Sequence, residues 1–197
     1  VLEIVAMISD ISVIIASVIT SWAVIKGFSA WKKEFAGKRN IELAEDTLAL
    51  LPQFEEAISH MRSVGSCNPY EGSTRQCNDK EEPSLKQTLD SFYRAQERYN
   101  LIHKDLLEKI SLSGFIFKAR FGDDKDKPFN ELNKVITDIL AASRYCILFY
   151  KRGKLQESQE YEKIIWEEEG DEIKEKVKGI IKNIEEICKN IKNGKSL

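Results

Sequence analysis

"FNELNKVITDILAASRYCILFY", residues 129–150, sets Phe129, Leu132, Ile136, Ile139, Ser143, Cys146 and Tyr150 three or four positions apart, with Pro128 just ahead of the first. An α-helix turns once in 3.6 residues, so these side chains share one face; a half-buried strand would alternate instead. Proline suits the first helical turn, where its missing N–H has no acceptor within the helix. The stretch predicts a helix that opens at Pro128 and carries one apolar seam.

The same spacing recurs on both sides. After Gly170 it runs through Ile173, Val177, Ile180, Ile184, Ile187 and Ile191. After Pro83, with Ser84 as a cap, it runs through Leu85, Leu89, Phe92, Tyr99, Leu106 and Ile110, interrupted by Gln96 and His103. An earlier segment from about Trp31 to Met61 carries Ala44, Thr47, Leu51, Phe54, Ile58 and Met61. Pro52 lies inside it and predicts a kink or break near Leu50 and Leu51, because proline removes a backbone donor and crowds the preceding turn. Helices with such seams pack as a bundle. The composition agrees: 31% of the 197 residues are charged and only 9% aromatic, with few Gly and Pro, as suits long helices.

Upstream the character changes. From Ile4 to Ile25 the one formal charge is Asp10, and at about 1.5 Å per residue this run matches the roughly 30 Å hydrocarbon core of a bilayer. The segment reads as a retained transmembrane helix. A cleaved signal peptide would lead with Lys or Arg, where this chain has Glu3. Residues 26–40 then hold Lys26, Lys32, Lys33, Lys38 and Arg39 against Glu34 alone. Basic residues stay on the cytoplasmic side, which puts the N-terminus outside and the rest inside. Trp22, Phe28 and Trp31 flank the crossing, where aromatic rings and long basic side chains settle at headgroup level. Together with Lys26, Lys32, Lys33, Lys38 and Arg39 they form the expected membrane interface, and the lipid bilayer is the first expected partner.

The fold expected is all-α: a transmembrane helix over 1–27 and an antiparallel four-helix-bundle-like cytoplasmic domain over 28–197. A long polar loop, 65–83, reads as a mobile segment or a docking surface. The stretch after Arg152 mixes an apolar patch, Ile164 to Trp166, with acidic residues; it reads as a short helix with Trp166 either packed on the bundle or offered to a protein partner. Within the span, Ser9, Ser12, Ala16, Thr20 and Ala23 share a face of small or hydroxylated side chains, with Asp10 near its outer end. Such faces let spanning helices approach closely; alternatively the hydroxyls bond their own preceding turn.

Chemistry-bearing residues are sparse. His60 and His103 lie on different segments and read as satisfied core or boundary residues. Cys67 and Cys77 could join them as a zinc set, but no Cys-x2-Cys pair seeds one, and in the cytoplasm both should be free thiols. Cys146 and Cys188 read as small hydrophobes. Asp123, Asp124 and Asp126 lack the pattern of a calcium loop and read as a solvated turn; the acids from Glu167 to Glu172 flank a helix start, which favours negative charge. No phosphate loop or nucleophile elbow is present, so no enzyme, cofactor or metal is expected. A net charge of -2 gives no general pull towards nucleic acid.

The junction "WKKEFAGKRNIELAEDTLALL", residues 31–51, resembles that of a family of small prokaryotic single-span membrane proteins with a W-K/R-K-E-x-x-G-K juxtamembrane motif. Trp31, Lys32, Lys33, Glu34, Gly37 and Lys38 carry the likeness, and "HMRS" at 60–63, "ARFGDDKDKPFNEL" at 119–132 and "GDEIKEKVKGIIKNIEEI" at 170–187 extend it over most of the chain. The resemblance implies the single-span topology and a prokaryotic setting, and no activity. The function expected is that of a membrane-anchored interaction or assembly subunit, with a protein partner or a second copy; the alternative is a self-associating membrane effector of a defence or toxin system.

Overall fold

The computed structural model describes residues 2–65, 71–76, 81–168 and 170–194, and the backbone alone for 2–15. Among the described residues every regular element is helical: α1 (Leu2–Arg62), α2 (Pro83–Arg98), a π turn (Tyr99–His103), α3 (Lys104–Phe121), α4 (Lys127–Lys151), α5 (Leu155–Ile165) and α6 (Glu172–Lys192). The chain is all-α, as expected. It divides into two compact units, Val1–Leu43 and Ala44–Leu197.

In the second unit α4 is central and packs against α2, α3, α5 and α6. Its seam from Phe129 to Cys146 is buried and Tyr150 is half-buried. Phe117 of α3 packs against Phe129 with ring centres 5.0 Å apart and planes tilted by 47°, and Phe92 of α2 meets Tyr150 at 4.9 Å. The six residues read from α1, Ala44 to Met61, are all 3% exposed or less. From α6, Val177, Ile180, Ile184 and Ile191 are buried and Ile181 and Cys188 join them, while Ile173 and Ile187 are half-buried. The result is bundle-like, held by apolar seams at helical spacing.

Polar members of the seams find one another. Gln96 donates from Nε2 to Ser143 Oγ at 2.8 Å, and that hydroxyl donates to the Phe92 carbonyl at 2.7 Å. The interruption in the α2 stripe thus meets the hydroxyl in the α4 seam, and neither is left unsatisfied in the core. At the α6 start, Asp171 accepts from the Ile173 and Lys174 amides at 2.8 and 3.4 Å. Asp123 and Asp124 are exposed and paired with Lys118 and Lys127, whereas Asp126, at the α4 start, is buried and bonds Asn130 at 3.0 Å.

Several expectations need correction. α1 runs through Pro52 without a break. Leu51 and Phe54 on either side are buried, so packing outweighs the local cost of about 3 kcal/mol. Ser84 is not the cap of α2: the helix begins at Pro83 and Glu82 precedes it without a side-chain cap. The stripe from Leu85 to Ile110 does not continue in one register. The π turn adds a residue to a turn, so the buried face resumes at Leu107, Ile110, Gly114 and Phe117, leaving Leu106 half-buried.

The described part of the long loop is fixed against α2. Gly72 N and Thr74 Oγ1 donate to the Glu97 carboxylate, the latter at 2.6 Å, and Arg75 pairs with Asp90 and Glu81 at 3.0 and 2.6 Å. Gly72 has φ +90°, and a Cβ there would lie 2.2 Å from the Asp90 carbonyl oxygen, so glycine alone fits this turn. Residues 66–70 and 77–80, with Cys67 and Cys77, lie outside the described residues.

Candidate functional site

The first unit shows a row of large apolar side chains on α1. Val18, Ile19, Trp22, Val24, Ile25, Phe28, Trp31 and Phe35 are all between 48% and 65% exposed. Phe28, Trp31 and Phe35 recur at helical spacing, with ring centres 5.9 and 5.5 Å apart, so one face carries an aromatic ladder. Lys26 places Nζ 4.4 Å from the Trp22 ring centre, and the Arg39 guanidinium lies 5.6 Å from that of Phe35. Lys38 pairs with Glu34 at 3.0 Å, one turn away and open to solvent, where such a pair adds little stability. Lys32 and Lys33 are exposed beside the ladder. Every residue expected at the membrane interface therefore lies on this one helix.

Among the described residues no helix is long and apolar enough to cross a membrane. The apolar stretch from Ala16 stops at Lys26, and the rest of the expected span extends into residues whose side chains lie outside the described set. Ser9, Asp10 and Ser12 are among these. Ala16, Thr20 and Ala23 are exposed, and Thr20 Oγ1 donates to the Ala16 carbonyl at 2.8 Å, so that hydroxyl is spent on its own helix. Trp166 is half-buried, stacked 5.9 Å from Phe92 at the end of α5.

Two clusters in the second unit were not visible in the sequence. His60, in the last turn of α1, and His103, at the end of the π turn, place Nδ1 and Nε2 2.8 Å apart with their rings edge to face. Each is half-buried and satisfied, as expected of a boundary residue, and the partner is the other ring, one donating and the other accepting. Burial pushes both pKa values down, helped at His60 by the positive charge of Arg98 and at His103 by His60 and Arg98; Glu56 opposes in both cases and Glu71 at His60. Both imidazoles are thereby held towards the neutral form, which the hydrogen bond requires of at least one.

The second cluster comprises two buried arginines that close the end of α1. Arg98 donates to the carbonyls of His60, Ser63 and Gly65 at 2.6, 2.7 and 2.6 Å and forms a bidentate pair with Glu71. The last carbonyls of a helix lack partners within it, and a five-donor guanidinium can satisfy several at once. Arg62 does the same for the end of α5, donating to the Lys163, Ile164 and Trp166 carbonyls, and it pairs with Asp171 at the start of α6. Beside it, a groove of about 330 Å³ is walled by Pro52, Ile58, Val177, Glu55, Glu167 and Lys174. Glu167 there accepts from Ser59 at 2.7 Å and pairs with Lys174. A long separation in sequence hid both clusters, since no local spacing announces partners as far apart as Arg98 and Glu71, 27 residues, or Arg62 and Trp166, 104 residues.

Among the described residues no group of three or more His, Cys, Asp or Glu side chains is arranged to hold a metal ion. No family model, curated protein or solved structure matches the chain.

Proposed function

We propose that this chain is a membrane-anchored helical protein whose bundle acts as an interaction or assembly subunit at the cytoplasmic face. The observation that carries the reading is the exposed apolar row from Val18 to Phe35, which runs into Lys26, Lys32, Lys33, Lys38 and Arg39. Large apolar side chains left in water cost about 1.5–3 kcal/mol each relative to burial, so a contiguous row of them calls for a nonaqueous neighbour. Aromatic rings interleaved with basic side chains suit the headgroup layer, where the ring body is buried and the cation meets anionic lipid. The apolar residues from Ile4 onward then enter the hydrocarbon, and the basic excess holds the bundle inside.

An interaction role for the bundle is supported by seams filled by its own helices, buried arginines spent on backbone carbonyls, and an open groove lined by apolar and charged side chains. These features support recognition of a protein partner rather than turnover of a substrate. The test is alkaline carbonate extraction of membranes from cells expressing the chain, with protease added to intact and opened vesicles. Retention in the membrane, with the bundle cleaved only from the cytoplasmic side, is expected. Release by carbonate, or cleavage from the outer side, would overturn the reading.

A further inference from the structure

We propose that His60 and His103 form a binding site for a divalent transition-metal ion, with His60 Nδ1 and His103 Nε2 as its two protein ligands. The two nitrogens already face each other at 2.8 Å from different elements, α1 and the π turn, and both rings are half-buried, so solvent can reach the pair and supply the remaining ligands. Zinc–imidazole bonds are about 2.0–2.1 Å long, which at a tetrahedral angle separates two ligating nitrogens by roughly 3.3 Å. Loading the site therefore needs an opening of about half an ångström and a small ring rotation, within reach of torsions about the side-chain bonds.

The surroundings favour the ligating state. Imidazole binds a metal only when neutral, and burial disfavours protonation of both rings. The charged groups that act on the pair are Arg98 from α2, Glu71 from the turn after α1, and Glu56 one helical turn before His60. Arg98 is committed to Glu71 in a bidentate pair and to three carbonyls, which draws off part of its charge, and the Glu56 carboxylate opposes the remainder at both rings. The π turn supplies the geometry: its added residue shifts the phase of the helix at the point where His103 leaves it, and such turns recur at functional sites. An ion here would tie the end of α1 to the α2–α3 helix, making the packing of the bundle responsive to metal.

The experiment is calorimetric titration of the full chain in detergent with zinc chloride and with nickel chloride, repeated on His60→Gln and His103→Gln, with folding of each variant checked by its helical circular dichroism. One ion per chain is expected, with either substitution weakening binding by about tenfold or more, at least the loss seen when an outer-shell partner of a metal ligand is removed. Because a variant could misfold, the histidine ring resonances of the unaltered chain are followed in the same titration: zinc must move both His60 and His103. Absence of binding, full binding in both variants, or ring resonances that stay in place would overturn the proposal.

Discussion

Arg98 is 1% exposed, yet nothing in its neighbourhood, "RAQERYN", distinguishes it from the solvated arginines elsewhere in the chain. Its burial is tolerable because each donor direction meets a carbonyl or the Glu71 carboxylate. Replacing Arg98 with Met would leave Glu71 and three carbonyls without this partner and should cost roughly 3–5 kcal/mol in urea unfolding. Arg98→Lys should recover little, since an ammonium cannot reproduce the planar fork. The histidine pair predicts a pH dependence. A base with a depressed folded pKa binds fewer protons when folded than when unfolded, so its contribution is complete above the ordinary imidazole value of 6.5 and is lost as pH falls below it. The urea midpoint should therefore drop between pH 7.5 and 5.5, and the double variant His60→Gln/His103→Gln should flatten that part of the profile. Burial pushes the Cys146 and Cys188 thiols up to about 12, so in the folded chain neither should be alkylated by iodoacetamide at pH 8, and mass spectrometry should find both labelled only after denaturation.

At the scale of elements, the sequence was most legible where one helix buries one face in a constant register. The α1, α4 and α6 seams were readable because each keeps one helical period along its buried face, although Ala57, Val135, Ala142, Ile181 and Cys188 widen those faces. The α2–α3 stripe was not, because a π turn changes the period without any signature in residue type. Likewise Pro52 signals a break only if local cost decides, and here the burial of Leu51 and Phe54 decides. Contact distances make a further distinction that sequence cannot. Gly114 and Gly179 both sit within helices, but a Cβ on Gly114 would come 2.7 Å from Cβ of Phe129, while one on Gly179 would meet nothing within 4 Å. Gly179→Ala should therefore stabilise the fold by about 0.5–1 kcal/mol through helix propensity alone. Gly114→Ala gains the same propensity but must part α3 from α4, an overpacking cost of about 1–3 kcal/mol, so its net effect should be destabilising. Thermal melts of the two variants should shift in opposite directions.

For the whole molecule, the division at Leu43 and Ala44 separates two kinds of surface. Ala44 is the first of the described residues of α1 with no exposure, and the large apolar side chains from Val18 to Phe35 are turned to solvent. The collar of basic and aromatic residues was legible in the sequence because charge and aromaticity are read directly, without knowledge of contacts. The histidine pair and the arginine clusters were not, because they exist only once distant segments meet. The account rests on the first unit requiring a bilayer. It is tested most directly by flotation of the full chain with phosphatidylglycerol-containing vesicles, beside the double variant Val18→Lys/Ile25→Lys. A lysine at Val18, within the apolar run, costs up to about 2.5–3.5 kcal/mol on insertion scales and one at Ile25, beside the interfacial Lys26, costs less; both are exposed residues of the first unit, so the bundle should melt as before. The account predicts that the unaltered chain floats with the vesicles and the variant stays in the dense fraction; an unaltered chain that stays behind, or a variant that floats equally well, would contradict it.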